Sequence, residues 1–267
     1  MKTTTRLLAL LLALCMVFAF AACGKDPSDP TDPIDPSNPT TPTDPDNPNP
    51  DEPSKEEILK ELQKTMLENT LAMQQKNKDT IGWLYIDGTT VNDVVVKVNY
   101  NDDNKYYLRR NANGENDNDG CYYADFRCTS GNRSTISKNT VIYGHNMGDG
   151  TMFGYLQAYK KLSYYQQHPL ISYNSVYRKD MYKIFAVVVC KADDPDFDYH
   201  NFIDSDSDAA KNEYIEKIMK RSIIKTTVDV KASDRLLTLS TCDYTFRDPD
   251  TLSLIHISEP TRHSLIS

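Results

Sequence analysis

Residues 140–147 read Thr-Val-Ile-Tyr-Gly-His-Asn-Met, an apolar run that ends in Gly144 and places His145 directly after it. Val, Ile, Tyr and Thr favour strands, and glycine interrupts them. The pattern therefore predicts a strand over Thr140–Tyr143, with the imidazole of His145 at the end of that strand and not inside the sheet.

A second strand of the same kind ends in a cysteine, since residues 237–242 read Leu-Thr-Leu-Ser-Thr-Cys. A cysteine attacks only as the thiolate, and a thiol with an ordinary pKa of about 8.5 stays mostly protonated at neutral pH unless a histidine or another cation lies nearby. Cys242 is therefore the candidate nucleophile, and His145 is its candidate partner. His168 and His200 lie among polar residues and have no comparable placement.

The rest of the folded region predicts mainly β structure. Short runs rich in Val, Ile, Tyr and Thr alternate with Asp-Gly, Asn-Gly or Ser-Gly turn signals. The predicted strands are Ile81–Ile86, Val91–Val98, Tyr106–Leu108, Cys121–Phe126, Thr140–Tyr143, Met181–Cys190, Thr226–Val230 and Leu236–Ser240. Apolar periodicity predicts an N-terminal helix over Lys55–Asn77 and a second helix over Ser207–Arg221, before the last strands. Eight strands indicate a closed β-barrel, so the predicted fold is such a barrel with two helices.

Residues 1–23 have the pattern of an export signal, because basic residues precede the apolar run 7–22. That run falls short of the roughly 20 residues that cross a bilayer comfortably, so an uncleaved membrane anchor is the weaker alternative. Residues 20–23, Phe-Ala-Ala-Cys, resemble the lipobox of bacterial lipoproteins, which implies lipidation at Cys23. Either route predicts that the chain is held at the extracellular face of the bacterial cytoplasmic membrane.

Residues 24–53 predict an extended linker. They hold ten of the 14 prolines, eight of them at every third position from Pro27 to Pro48. Such a segment buries no core, and polyproline II geometry would stretch it to roughly 90 Å. The linker also carries a charge of −7 out of the chain's −8. Residues 54–267 are therefore close to neutral, and the absence of a basic surface argues against nucleic acid as a partner.

The folded region has three further cysteines, Cys121, Cys128 and Cys190, and with Cys242 they match no metal-ligand spacing. A strand between Cys121 and Cys128 would place them roughly 23 Å apart, which is beyond disulfide reach. We expect these three to be small free thiols in or beside strands. We also expect no metal and no cofactor.

The two strand-end motifs carry a specific resemblance. Residues 140–147, followed by Met152-Phe153-Gly154, and residues 237–242 resemble the histidine and cysteine motifs of sortases, the transpeptidases that attach proteins to Gram-positive cell walls. The segments Asn77–Leu84, Ile86–Thr89 and Tyr106–Leu108 and the late helix resemble class B sortases in particular. The resemblance divides the chain into an export signal at 1–23, a linker at 24–53, a catalytic domain at 54–251 and a tail at 252–267.

This resemblance implies a closed barrel and a two-step acyl transfer. Cys242 would attack the carbonyl after Thr in a sorting pentapeptide and form a thioacyl enzyme. His145 would serve as acid to the leaving amine and as base to the amine of a peptidoglycan precursor of the lipid II type. The implied partners are this precursor and surface proteins with a C-terminal sorting motif. By family position Ser240 and Thr241 would line the substrate groove, although a purely structural role at the strand end is equally open.

Sortases also carry an arginine on the last strand, about ten residues beyond the cysteine in class B members, where it donates to the oxyanion. Leu252 occupies that position here, while Arg247 is too early and Arg262 is too late. The expected catalytic arginine is therefore absent from the sequence.

Two explanations compete for this absence. Residues 252–257 are either a real last strand of a divergent enzyme, or the native sequence ends near Thr251. Residues 253–262 resemble a peptide that recurs in translated sequencing-adapter read-through, which favours the second explanation. On that interpretation we expect a barrel that lacks part of its closing strand.

Two other functions fit parts of the pattern. L,D-transpeptidases are also β-rich, with the histidine before the cysteine, but an arginine normally follows their cysteine by two positions, where this chain has Tyr244. A surface lipoprotein that only binds, with an inert Cys242, is the alternative from a different class. Papain-like peptidases have the cysteine before the histidine, which is the reverse order.

Overall fold

The structure is a computed structural model, and it describes residues 53–98, 104–130, 135–191, 194–204 and 207–243 together with the backbone of 251–258. The chain divides after Ser54, and all the helices and strands that the structure describes belong to the unit Lys55–Ser267. The predicted export signal, the lipidation site at Cys23 and nearly all of the linker lie outside the described residues. Within the described ranges, no helix combines the length and apolar character that a membrane crossing needs.

Eight strands form a closed barrel, which confirms the predicted fold. The strands are β1 Thr80–Tyr85, β2 Asn92–Val96, β3 Tyr122–Ala124, β4 Asn139–Tyr143, β5 Leu170–Ser175, β6 Lys179–Lys191, β7 Leu236–Cys242 and β8 Thr251–Ser258. Around the barrel they follow the order β1-β2-β3-β4-β7-β8-β6-β5, and β5 pairs with β1 to close the ring. Two pairs, β2 with β3 and β4 with β7, are parallel.

Three α-helices and two 3₁₀ helices complete the described fold. They are α1 Lys55–Lys76, the first 3₁₀ helix Tyr106–Arg109, the second 3₁₀ helix Gly154–Lys160, α2 Leu162–Gln167 and α3 Asp208–Arg221. The two predicted helices correspond to α1 and α3 and are confirmed. Met66 of α1 is buried, and its sulfur accepts a hydrogen bond from Asn174 Nδ2 of β5 at 3.5 Å. Ser207 caps α3, because its hydroxyl accepts from the Ala210 amide at 3.3 Å.

Buried side chains fall into an inner cluster and an outer cluster. The inner cluster fills the barrel and takes residues from seven strands, among them Leu84, Val95, Tyr122, Ile142, Ile171, Ile184 and Leu239. Leu156 and Tyr159 of the second 3₁₀ helix also belong to it. The outer cluster lies where α3 covers β4, β6 and β7, and it includes Val141, Val188, Leu236 and Ile218. Successive side chains of a strand point to opposite faces, which is why Val141 and Ile142 belong to different clusters.

Two of the predicted strands are wrong. Tyr106–Leu108 lies in the first 3₁₀ helix, since Tyr107 turns inward and its hydroxyl donates to Asp79 Oδ2 at 2.8 Å. Thr226–Val230 joins no sheet. Its valines pack on the outer cluster instead, and Thr226 Oγ1 donates to the Phe185 carbonyl at 2.9 Å.

One strand of the barrel was not predicted. β5 contains Ser172, Asn174 and Ser175, and serine and asparagine weaken a strand signal. All three side chains are nevertheless buried, because β5 lies between β1 and β6 and beneath α1.

The expectation of an incomplete barrel is also wrong. The backbone of Thr251–Ser258 lies between β6 and β7 in antiparallel register with both, and Lys191 and Cys242 face its first two residues. Half of the segment is Leu or Ile, and its isoleucines and threonine favour a strand whatever its origin. The origin of residues 252–267 stays a prediction.

Removing β8 should open the barrel. A chain that ends at Asp250 loses the partner of both β6 and β7 and exposes two long unpaired edges. We expect its Tm, followed by circular dichroism, to fall by at least about 10 °C, with association visible in size-exclusion chromatography. The matched control ends at Ser258 and keeps β8. Equal melting of the two truncated chains would show that β8 contributes nothing to closure.

Candidate active site

The ends of β4 and β7 bring His145 and Cys242 to equivalent positions. The two strands are parallel, with Tyr143 in register with Ser240. The pairing continues past the strand end, because the Gly144 amide donates to the Ser240 carbonyl at 3.2 Å. His145 and Cys242 each lie two residues beyond the last register pair, on strands that in general run about 4.8 Å apart.

Both side chains belong to the outer face of the barrel. Ile142 and Leu239 are register partners and both point into the inner cluster. His145 follows Ile142 by three residues and Cys242 follows Leu239 by three, so strand alternation turns both outward. Tyr143, which shares the outward direction with His145, packs against the outer cluster. Both candidate residues are partly exposed to solvent.

Local contacts fix the orientation of His145. Its Nε2 lies 2.7 Å from the Leu108 carbonyl oxygen, and its own carbonyl accepts from the Phe153 amide at 2.8 Å. A carbonyl only accepts hydrogen bonds, so Nε2 carries the proton in this contact and Nδ1 is left as the basic nitrogen. The glycine before the histidine is also required, because a Cβ on Gly144 would lie 2.7 Å from the Phe153 ring.

The carbonyl that orients His145 depends on a second glycine. Gly120 has a φ of +64°, a left-handed conformation, and an added Cβ would lie 2.8 Å from the Leu108 oxygen and 3.0 Å from the Tyr107 oxygen. Only glycine combines this φ with so close a backbone approach at low cost. Gly120 therefore allows the Leu108 carbonyl to reach the imidazole.

Three side chains hold the backbone around Cys242. Asn146 Nδ2 donates to the Cys242 carbonyl at 2.8 Å, and Gln157 Nε2 donates to the same oxygen at 3.4 Å. The next residue, Asp243, has a side chain that is 0% exposed and lies 2.5 Å from Lys160 Nζ. The segment from Asn146 to Lys160, which follows His145 in the chain, therefore holds the backbone at Cys242 in place.

A polar network lies beside the site on the outer face. The Tyr143 hydroxyl donates to Asp125 Oδ2 at 2.8 Å, and Arg127 binds both oxygens of the same buried carboxylate. Burial acts to raise the pKa of Asp125, but the hydrogen bonds from Arg127 and Tyr143 outweigh it and hold that pKa below its usual range. The Tyr199 hydroxyl lies 3.0 Å from Ser240 Oγ, and burial raises the pKa of Tyr199 to about 12, so this phenol stays neutral at physiological pH.

Sequence reasoning missed this network and the clamp on Cys242. The sequence Asp125-Phe126-Arg127 after a strand was one available signal, since an acid and a base two residues apart on one face can pair. Asn146 adjoins His145 and was another. Lys160 and Gln157 gave no signal, because their partners at the end of β7 are set by the tertiary fold.

Ser240 and Thr241 are each only 3% exposed and have partners inside the protein. Ser240 contacts Tyr199, and Thr241 Oγ1 donates to the Gly144 carbonyl at 2.7 Å. These contacts favour the structural role over the substrate-binding role for both side chains.

Leu252 is the register partner of Cys242 across β7 and β8. The position at which the arginine was expected therefore lies directly beside the candidate nucleophile, and it holds a leucine. Arg247 and Arg262 lie outside the described residues. Arg127 is committed elsewhere, because it binds Asp125 and also donates to the His200 carbonyl at 2.7 Å.

The other histidine and cysteine side chains that the structure describes have surroundings of their own. His168 stacks on Tyr164, with ring centroids 4.5 Å apart, and His200 pairs with Asp198 at 3.1 Å. Cys121, Cys128 and Cys190 are buried. Burial raises the pKa of Cys190 to about 12.

Comparison with known proteins gives the same family as the motifs. A family model described as Sortase domain matches residues 84–259. Sortase B of Staphylococcus aureus is 32% identical over 174 residues, which is 64% of this chain and 66% of that protein. Sortase B of Listeria monocytogenes is 34% identical over 171 residues, which is 64% of this chain and 65% of that protein. A solved Staphylococcus aureus sortase B-substrate complex superposes with a TM-score of 0.65 at 25% identity, covering 78% of this chain and 94% of that one.

The chain therefore belongs to the sortase family. The relatives and the solved structure that it resembles are sortases B, which supports the predicted class B assignment. The match spans just under two thirds of the length of the two curated relatives.

Gly120→Ala should lower the reactivity of Cys242 although the new methyl group contacts neither Cys242 nor His145. The new Cβ would push the Leu108 carbonyl away from His145, and misplacement of a reacting group by about 1 Å costs up to about 100-fold in rate. We expect alkylation of Cys242 at neutral pH to slow by about 10-fold or more, measured by peptide mass spectrometry. Gly148→Ala is the matched control, because a Cβ there would meet nothing within 4 Å. If both variants react at the parental rate, the Leu108 contact does not orient the imidazole.

Proposed function

We propose that the protein is a cysteine transpeptidase of the class B sortase type. In this reaction it cleaves a sorting signal after Thr and transfers the cleaved protein to an amine of a peptidoglycan precursor. The observation that carries the proposal is the placement of His145 and Cys242 at equivalent positions of two parallel strand ends, on the same face of the barrel. Family membership gives it independent support.

The chemistry follows from these two side chains. The Cys242 thiolate attacks the threonine carbonyl, and the C–N bond breaks as His145 gives a proton to the leaving amine. The incoming amine then loses a proton to the neutral imidazole and attacks the thioester, which restores the thiolate. The hydrogen bond from Nε2 to Leu108 leaves Nδ1 as the nitrogen that carries this proton in both steps.

The substrates are proposed by analogy. A Staphylococcus aureus sortase B has been solved as a complex with its substrate. For this chain we propose surface proteins with a C-terminal sorting motif as acyl donors and a lipid II-type amine as acceptor. We propose the extracellular face of the bacterial cytoplasmic membrane as the location, on the basis of the export pattern and the lipobox-like residues 20–23.

Selective reactivity of Cys242 tests the proposal against a surface lipoprotein that only binds. A vinyl sulfone at neutral pH should label Cys242 well before Cys190, because burial raises the pKa of the Cys190 thiol to about 12. Cys242→Ala should abolish transfer of sorting pentapeptides, beginning with Asn-Pro, Ser-Pro or Pro-Pro, to an oligoglycine amine. Cys190→Ala is the matched control and should retain the transfer. If Cys242 labels no faster than Cys190, the enzymatic proposal fails.

Leu252→Arg should raise the rate of transfer. Leucine donates no hydrogen bond, and one oxyanion donor is worth on the order of 100-fold in kcat. Because Leu252 is the register partner of Cys242, the backbone of an arginine at this position would lie next to the residue that attacks the carbonyl. We expect kcat to rise by about 10-fold to 100-fold while KM changes less, measured by chromatography of the transfer product. Leu252→Met controls for the change of side chain alone. Equal kcat values for the parent and Leu252→Arg would favour a divergent enzyme that stabilises the oxyanion by other means.

A further inference from the structure

We propose that Lys160 is a positioning residue for the nucleophile, because its ion pair with Asp243 fixes the end of β7 and cancels a negative charge beside the thiol. This inference rests on the proposed function, in which Cys242 reacts as the thiolate. Lys160 does not itself contact the substrate or the reacting atoms.

The carboxylate of the ion pair is buried. Asp243 follows Cys242 directly, and strand alternation turns it to the opposite face, where its side chain is 0% exposed. Lys160 Nζ lies 2.5 Å from Asp243 Oδ2, and the lysine side chain is 22% exposed. A buried carboxylate without a nearby cation is unfavourable, so the lysine helps to stabilise an ionised aspartate at this position.

The second 3₁₀ helix brings two groups to the same strand end. Gln157 and Lys160 lie three residues apart, and such residues share one face because this kind of helix has three residues per turn. Gln157 donates to the Cys242 carbonyl, while Lys160 binds the side chain of Asp243. Leu156 and Tyr159 of the same helix are buried in the inner cluster, which anchors both contacts.

The charge of the pair bears on the thiol next to it. A carboxylate one residue away disfavours a second negative charge, and a cation at the carboxylate removes most of that effect. On the outer side, the ionisable groups near Cys242 include His145 from the end of β4 and Tyr199 from the connection after β6.

The test measures how the reactivity of Cys242 depends on pH. The full chain and its variants are treated with iodoacetamide between pH 5 and pH 10, and the Cys242 peptide is followed by mass spectrometry. Lys160→Gln removes the positive charge beside the carboxylate, so the midpoint of the profile should move up by about half a pH unit or more. Asp243→Asn removes the negative charge beside the thiol, so the midpoint should move down. The double variant should return to the parental midpoint, and Lys160→Arg, which keeps the charge, should stay there.

A purely structural ion pair gives a different result, because both single variants would then change the profile in the same direction. Shifts in one direction, or no shift in either variant, overturn the proposal. Lys161→Gln is the matched control, since it makes the same charge change at an exposed neighbour and should leave the midpoint unchanged. Protection of buried Cys190 from the reagent reports an intact fold in every sample. If Lys160→Gln does not fold, the shift in Asp243→Asn decides the test. That variant is expected to fold, because the lysine side chain is 22% exposed and can be solvated once the carboxylate is neutral.

The outcome is separable from that of the proposed function. Opposite shifts in a chain that transfers no peptide would uphold the ion pair and refute the transpeptidase. Transfer by a chain whose profiles do not shift would uphold the transpeptidase and refute the ion pair.

Discussion

The parallel register of β4 against β7 is the constraint on which the site depends. Parallel strands finish at the same edge of a sheet, so the residues that follow them meet there even when they are far apart in sequence. A slip of one residue would turn either His145 or Cys242 into the barrel, since neighbouring side chains point to opposite faces. Two hydrogen bonds hold this register next to His145 and Cys242. The Gly144 amide donates to the Ser240 carbonyl, and the Thr241 hydroxyl donates to the Gly144 carbonyl.

The outer face beside the site is held by charge as well as by strand pairing. Arg127 joins the segment after β3 to the connection after β6, because it binds Asp125 on one side and the His200 carbonyl on the other. Tyr143 is the outward residue of β4 that precedes His145 on that face, and it donates to the same carboxylate. A buried carboxylate with several donors is satisfied only in one arrangement, so the network specifies the position of both segments. His145 therefore follows a strand whose outer face is held in place by this network.

The sequence predicted the strand ends better than it predicted their surroundings. His145 and Cys242 follow strong apolar runs, and those runs form β4 and β7 as expected. Strand order and register depend on contacts between distant segments, so the clamp on Cys242 from Asn146 and Gln157 had no local signature. Local propensity also failed at β5, where burial between two strands overrides the weak strand preference of Asn174.

The two sides of the β7 end have different chemistry, and the alternation of the strand explains how they coexist. Cys242 faces outward, where a substrate can reach it, while Asp243 faces the interior, where only protein groups can compensate its charge. The register partner of the cysteine is Leu252, and leucine supplies neither a charge nor a hydrogen-bond donor. The site as described thus provides a held nucleophile and an oriented proton carrier, but at Leu252 it provides nothing for the oxyanion. For the proposed transfer, in which stabilisation of the oxyanion is usually the largest single contribution, we therefore expect formation of the tetrahedral intermediate to limit the rate.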